Sequence, residues 1–297
     1  MTQMLKLQFS HQSYQAEAVN AVVGVFDGQT LASQGFALVR QHSSVRHASD
    51  GSVGNRLVLA PMQLLANVQK VQAKNLMSKP STELLGDNGV PHFSLEMETG
   101  TGKTYVFIKT MYELNKVYGF KKFVVVVVPS VAIREGTMKN LEITREHFAA
   151  DYAGVPFVPV LYDSKQLNRL RDFAESDVLS VLVINIDSFT KDNNKINQKG
   201  ELPFATIEYI RAVNPIVIMD EPQNFETDVR RQAIESLNPM CTLRYSATHR
   251  NPYNLLYALT PVQAYDLGLV KQIEVDGVLA SADHNQAFVQ LLGIEQK

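Results

Sequence analysis

From residue 91 to residue 246 the chain alternates short, almost wholly apolar runs with longer stretches whose apolar residues recur every three or four positions. Runs of the first kind mark strands buried on both faces, because a parallel sheet covered by helices on either side has no polar face to alternate with. The pattern predicts strands at 93–97, 123–128, 157–162, 178–186, 216–219 and 242–246, with helices filling the intervals. The fold class that follows is α/β, a parallel sheet sandwiched by helices. Upstream, Ala18, Val19, Val22, Val23 and Phe26 have helical spacing, and 56–71 carries a second helical pattern interrupted near its start by Pro61. The signal between them is weak. Ser, Gln, His and Gly are scattered through 43–55, and Gly86-Asp87-Asn88-Gly89 is a turn cluster. We therefore expect an N-terminal helix and insertion over 1–90, an α/β core over 91–275, and a tail or the start of a further domain over 276–297.

Composition narrows the function classes. At 297 residues, 45% hydrophobic and 20% charged, the chain can bury a continuous core. A formal net charge of −2 supplies no bulk attraction to nucleic acid or an anionic membrane, so any DNA contact must come from a local arrangement of Lys and Arg. Cys241 is the one cysteine, which excludes an internal disulfide and a multi-cysteine zinc site and fits a reducing cytoplasm. His42 and His47 have no metal-ligand company. Residues 1–10 lack the apolar core of a secretion signal, and the valine run at 124–128 is far below the roughly 20 residues of a membrane helix. No membrane association is expected.

In folds of this class, ligands bind outside the carboxyl ends of the strands, and the residues with distinctive chemistry fall there repeatedly. Glu98-Thr99-Gly100-Thr101-Gly102-Lys103-Thr104 follows the first strand. Its glycines let successive N–H groups turn toward phosphate oxygens, Lys103 adds a mobile charge, and Thr104 offers a hydroxyl to Mg²⁺. The usual pattern opens with Gly where this chain has Met97, while a dinucleotide fingerprint would need Gly at Tyr105. Asp220-Glu221 ends another apolar strand. Mg²⁺ bound to a nucleotide is a natural partner for Asp220, and Glu221 can polarise an attacking water; the alternative is a solvated pair capping the next helix. Ser246-Ala247-Thr248 closes a third strand and can bond to the acidic pair, although three small residues alone mean little. Gln15 beside Tyr14 offers both a donor and an acceptor to an adenine edge, yet by itself reads better as a surface glutamine at a helix start.

Taken in order, Glu98 to Thr104, Val128-Pro129-Ser130, Asp220-Glu221-Pro222-Gln223 and Ser246-Ala247-Thr248 resemble motifs I, Ia, II and III of superfamily 2 helicases and translocases, whose motor domains are RecA-like. The wording of these segments, with Ala-Tyr-Asp-Leu-Gly-Leu-Val-Lys at 264–271, is similar to the Res subunit of type III restriction enzymes, over about 9–275. That resemblance implies ATP and Mg²⁺ as cofactors. It places Thr99, Gly100, Thr101, Gly102, Lys103 and Thr104 around the nucleotide, Asp220 with Thr104 at the metal, and Glu221 at the attacking water. Gln15 becomes an adenine reader, and Ser246 and Thr248 become coupling residues. Ser130 and Arg134, with 185–190, would lie against double-stranded DNA; helix-start residues without a ligand are the alternative. The implied partner is the Mod methyltransferase subunit. Family members also carry a second RecA-like domain, whose arginine completes the ATP site, and a nuclease domain. No second sheet-forming series follows Thr248, so the expectation is a truncated or fragmentary Res chain, feeble in ATP hydrolysis and unable to cut DNA alone. Other superfamily 2 ATPases, and an inactive remnant that only binds nucleotide, are the competing readings.

Overall fold

The computed structural model describes residues 9–31, 54–199 and 205–270, together with the backbone of 38–41 and 44–47. The expected tail at 276–297, Lys271 and His42 lie outside the described residues. Helix α1 spans Ser13–Val25, and β1 (Leu38–Gln41) pairs antiparallel with β2 (Ser44–His47). Helix α2 is Pro61–Lys74. Pro61 opens it instead of breaking it, because its missing N–H falls where a first-turn donor would have no intrahelical partner. There follow β3 (Gly86–Asp87), β4 (Val90–Met97), α3 (Lys103–Tyr118), β5 (Lys122–Val127), α4 (Val131–Asp151), β6 (Phe157–Leu161) and α5 (Asn168–Glu175). After β7 (Leu179–Asn185) come α6 (Ile207–Ala212), β8 (Ile216–Asp220), α7 (Asp228–Glu235), β9 (Cys241–Ser246), β10 (Leu255–Leu259) and α8 (Pro261–Asp266).

The main sheet runs β10-β4-β9-β8-β5-β7-β6, parallel throughout, with β3 antiparallel to β4. This is the helix-covered parallel sheet of the RecA-like P-loop fold. The strand bearing Ser246 lies between the strand that enters the glycine loop and the strand that ends in the acids, so all three loops open at one edge. Alternation along the inner strands accounts for the two helical layers. Phe123, Val125 and Val127 face a core shared with α1, α2, α3 and α4, while Val124 and Val126 face one shared with α5, α6 and α7. Each strand is thus apolar on both faces, as the uninterrupted runs predict.

The six expected strands all form, with ends shifted by up to three residues. Four described strands were not expected: β1, β2 and β3 in the weak-signal region before residue 90, and β10 in the polar-looking region after Thr248. Strand β10 adds to the same sheet beside β4, with Tyr257 opposite Leu95 and Leu259 opposite Met97. Helix α2 is fastened to that edge strand through Gln72 and Asn75, whose amides donate to the carbonyls of Leu255 (3.0 Å) and Leu256 (2.6 Å).

Candidate nucleotide site

The loop between β4 and α3 has the backbone that an anion cradle requires. Gly100 and Gly102 hold φ of +84° and +89°, a region costly for residues with a Cβ. At Gly100 the surrounding space is open, so conformation alone demands glycine there. At Gly102 a Cβ would also lie 2.6 Å from Nε2 of Gln15, so both conformation and close approach demand it. Thr101 turns inward, its Oγ1 donating to the Glu98 carbonyl at 2.6 Å, and Thr99 stays exposed with its N–H on the Glu98 carboxylate at 2.9 Å. Thr104 sits half-buried in the first turn of α3, whose 16 residues direct the positive end of a helix dipole at the loop.

Helix α1 braces this loop. Tyr14 Oη and Gln15 Nε2 both donate to the Thr101 carbonyl, at 2.9 and 3.1 Å. Both side chains are buried, so Tyr14 presents no free face for stacking. Just after the loop lies a half-buried ring cluster that sequence reasoning missed. Phe9 stacks on His147 at 4.7 Å and on Tyr105 at 5.8 Å between centroids, and Tyr105 Oη lies 3.0 Å from His147 Nε2. Only the position of Tyr105, directly after Thr104, signalled this cluster.

The acid pair arrives from β8. Asp220 ends the strand, and Glu221 takes φ +55°, an uncommon left-handed geometry for a residue with a side chain. Lys103 folds back across the loop, its Nζ 3.1 Å from Glu221 Oε1 and 3.4 Å from the Met97 carbonyl. The other carboxylate oxygen accepts from Ser246 Oγ at 2.8 Å and from Gln223 Nε2 at 2.9 Å. Burial raises the Glu221 pKa, but these hydrogen bonds from Gln223, Ser246 and Lys103 outweigh it and hold the carboxyl below its ordinary range. Asp220 behaves oppositely. Burial, reinforced by the Glu221 charge and opposed by Lys103, pushes it up to about 6. Its Oδ1 is buried without a hydrogen-bond partner among the described residues. A buried carboxylate oxygen with no donor is the feature a divalent cation satisfies, so these residues fit a Mg²⁺-nucleotide.

Thr248 is exposed, its N–H donating to Ser246 Oγ at 3.3 Å. Arg244, on β9 opposite Met219, reaches Glu226 at 2.5 Å and lies 4.7 Å over the Tyr253 ring, tying the segment after the acids to β9. Ser130 caps α4, accepting from the Ile133 N–H at 3.4 Å, and Arg134 lies in the same first turn. Arg134 lines an open groove of about 650 Å³ with Tyr162, Lys165, Asn185, Ser188 and Lys195. The structure therefore brings Gln15, Lys103, Asp220, Glu221 and Ser246 around one loop and sets Arg134 at a separate groove on the same edge of the sheet, with Ser130 at the cap of the helix that carries it.

A family model described as type III restriction enzyme, res subunit, matches residues 8–251. The chain is 33% identical over 242 residues to the type III restriction-modification enzyme EcoP15I Res subunit of Escherichia coli, covering 73% of this chain and 24% of that protein. It is 31% identical over 285 residues to the EcoPI Res subunit of Escherichia phage P1, covering 88% and 28%. The chain thus spans about a quarter of the length of these relatives. Among solved structures, a nuclease-deletion mutant of the type ISP restriction-modification enzyme LlaGI in complex with a DNA substrate mimic matches with a TM-score of 0.41 at 14% identity, covering 69% of this chain and 20% of that one.

Proposed function

The chain belongs to the family of type III restriction enzyme Res subunits, and on that premise we propose that it is an ATP- and Mg²⁺-binding motor domain coupling hydrolysis to movement or switching on double-stranded DNA. Its setting is a cytoplasmic restriction system, with a Mod methyltransferase subunit recognising the site and the endonuclease activity belonging to the assembled enzyme. The core 91–275 carries the nucleotide, and helix α1 of the 1–90 segment braces its loop. The observation that carries the reading is the orphaned, buried Oδ1 of Asp220 beside the Lys103–Glu221–Ser246 chain.

In this reading the loop amides of 99–104 and Lys103 receive the phosphates, Thr104 and Asp220 hold Mg²⁺, and the metal supplies charge neutralisation at the γ-phosphate. Lys103 exchanges Glu221 for phosphate, which frees the carboxylate to orient water. Gln15 keeps Thr101 in place, and with Phe9 and Tyr105 it would offer an adenine its amide edge and ring faces. Lys103 is the cation acting on both carboxylates. The expected second motor domain would add an arginine worth roughly 10³ to 10⁵ in such reactions, so slow hydrolysis by the chain alone is part of this proposal.

Fluorescent-ATP titration with Mg²⁺ tests this directly. The wild-type chain binds, and Lys103→Ala loses binding because the cradle loses its mobile cation. Retained affinity in that variant would sink the assignment. Turnover stimulated by duplex DNA supports the restriction setting, whereas stimulation by single-stranded RNA alone would replace it with another superfamily 2 activity.

A further inference from the structure

The segment 246–249 is tied to the phosphate loop twice, and only one tie is made of the residues assigned so far. The first runs from Lys103 through Glu221 to Ser246. The second begins at His249. Its backbone N–H donates to Glu96 Oε1 at 3.1 Å, and its Nδ1 lies 3.5 Å from the same oxygen. Glu96 sits on β4 opposite Ser246 and is followed at once by Met97, whose carbonyl receives Lys103. The two ties close a ring through Lys103, Glu221, Ser246, His249, Glu96 and Met97.

The His249 side chain is 2% exposed, and among the described residues neither ring nitrogen has a hydrogen-bond partner at ordinary distance. Packing alone would be better served by an apolar residue, because burying an imidazole without partners is unfavourable. What holds it is the carboxylate, and the effect is mutual. The imidazole 3.5 Å away, together with the hydrogen bond from the His249 backbone N–H, keeps the Glu96 carboxyl below its ordinary range against the opposing pull of burial.

We infer that His249 and Glu96 are a positioning pair that locks the 246–249 segment to the strand feeding the phosphate loop. Its purpose rests on the nucleotide reading above. When Lys103 leaves Glu221 for a phosphate, the first tie rearranges, and the second keeps Ser246 and Thr248 in register with the loop. Without it, the connection to those residues rests on the β4–β9 ladder, which ends at the pairing of Glu96 with Ser246 and does not reach 247–249. The lock is made of the chain's own residues alone and is read without added nucleotide.

The experiment is amide hydrogen exchange on the full 297-residue chain without nucleotide, with ATP affinity measured in parallel. His249→Ala should speed exchange of amides 97–102 about tenfold through loss of the tie to Glu96, while β5 and β7 keep their protection. Glu96→Gln preserves size and still accepts the backbone N–H, and should give about a threefold increase. His249→Asn, whose amide can donate from near the position of Nδ1, should restore the loop to within about threefold of wild type. Loop exchange unchanged in Glu96→Gln and in His249→Ala overturns the inference. So does equal loosening in His249→Asn and His249→Ala, which would mark lost packing only. Should His249→Ala fail to fold, Glu96→Gln and His249→Asn decide. A wild-type chain that does not bind ATP sinks the nucleotide assignment and leaves the lock to be judged by exchange.

Discussion

The two ends of the same parallel strands treat buried polar groups in opposite ways. At the amino ends they are answered from within. Lys122, fully buried at the start of β5, donates its ammonium to the carbonyls of Phe173 (2.6 Å) and Ser176. Asn55 accepts from the Lys121 and Lys122 N–H groups and donates to the Lys122 carbonyl at 2.6 Å. His92 is the exception at this end: its Nδ1 bonds to Thr242, while its Nε2, without a hydrogen-bond partner among the described residues, faces Asp87 at 3.4 Å. At the carboxyl ends Asp220 keeps an unanswered oxygen, Glu221 a left-handed backbone, and Arg134 an Nε without partner among the described residues. Satisfied burial fixes the fold; unsatisfied burial at a loop edge points outward, to a ligand.

Substitutions at the carboxyl edge should therefore damage chemistry more than stability. The largest effect belongs to Glu221→Gln, which keeps size but removes the carboxylate that would polarise water. Hydrolysis by single-turnover assay should fall about 10³-fold, with ATP affinity within about threefold of wild type. An equal collapse of affinity would break the division of labour between Lys103 and Glu221.

Substitutions at the amino edge should do the reverse. Lys122→Ala strands two buried carbonyls and removes a packed stem, so the chain should lose about 3 kcal/mol in a denaturant melt while any copy that folds binds ATP normally. The pH dependence carries its own sign. Burial pulls Lys122 from 10.5 down to about 7, so between those values the unfolded chain holds a proton that the folded chain has released. Wild-type stability should then gain a rising component from pH 7 to 10, and Lys122→Ala should lack it. A loss of nucleotide affinity here would erase the contrast between the two ends.

Asp220 tests the contrast from within the site. Its pKa is raised from 3.8 to about 6, so the folded chain binds the extra proton between those values and loses stability as pH rises through them. Above pH 6 the full cost of the buried charge remains. Asp220→Asn should stabilise the nucleotide-free chain by about 1 to 2 kcal/mol at pH 7, discounted for partial exposure, while weakening Mg²⁺-dependent ATP binding. Destabilisation instead would place Asp220 among the structural groups.

This division also explains what the sequence could disclose. Strand-end chemistry was legible because each motif is contiguous and its neighbours are apolar, so Gly100 to Thr104, Asp220-Glu221 and Ser246 stand out without any knowledge of pairing. Contacts across the chain were not. Glu96 and His249 are 153 positions apart, and Gln15 meets Thr101 across 86. Lys122 reads as a surface charge before a valine run, and only the return of α5 over β5 buries it. Strand β10 was hidden because Leu-Leu-Tyr-Ala-Leu is short and follows Pro252 and Asn254, which read as loop.

The smallest expected effect concerns Arg134, the cationic counterpart of Asp220 at the same edge. Its guanidinium reaches Glu135 at 3.0 Å, an exposed neighbour that adds little in water, and its other face lines the groove beside Lys165 and Lys195. If the groove holds a DNA backbone, Arg134→Ala should weaken duplex binding by about three- to tenfold, equally for unrelated sequences, and lower the slope of log affinity against log salt by about 1. Ser130→Ala should leave that slope alone, because it removes a cap and no charge, at about 1 kcal/mol of stability. A loss confined to one sequence would make Arg134 a reader of bases, and the unanswered groups at this edge would then serve recognition as well as the motor.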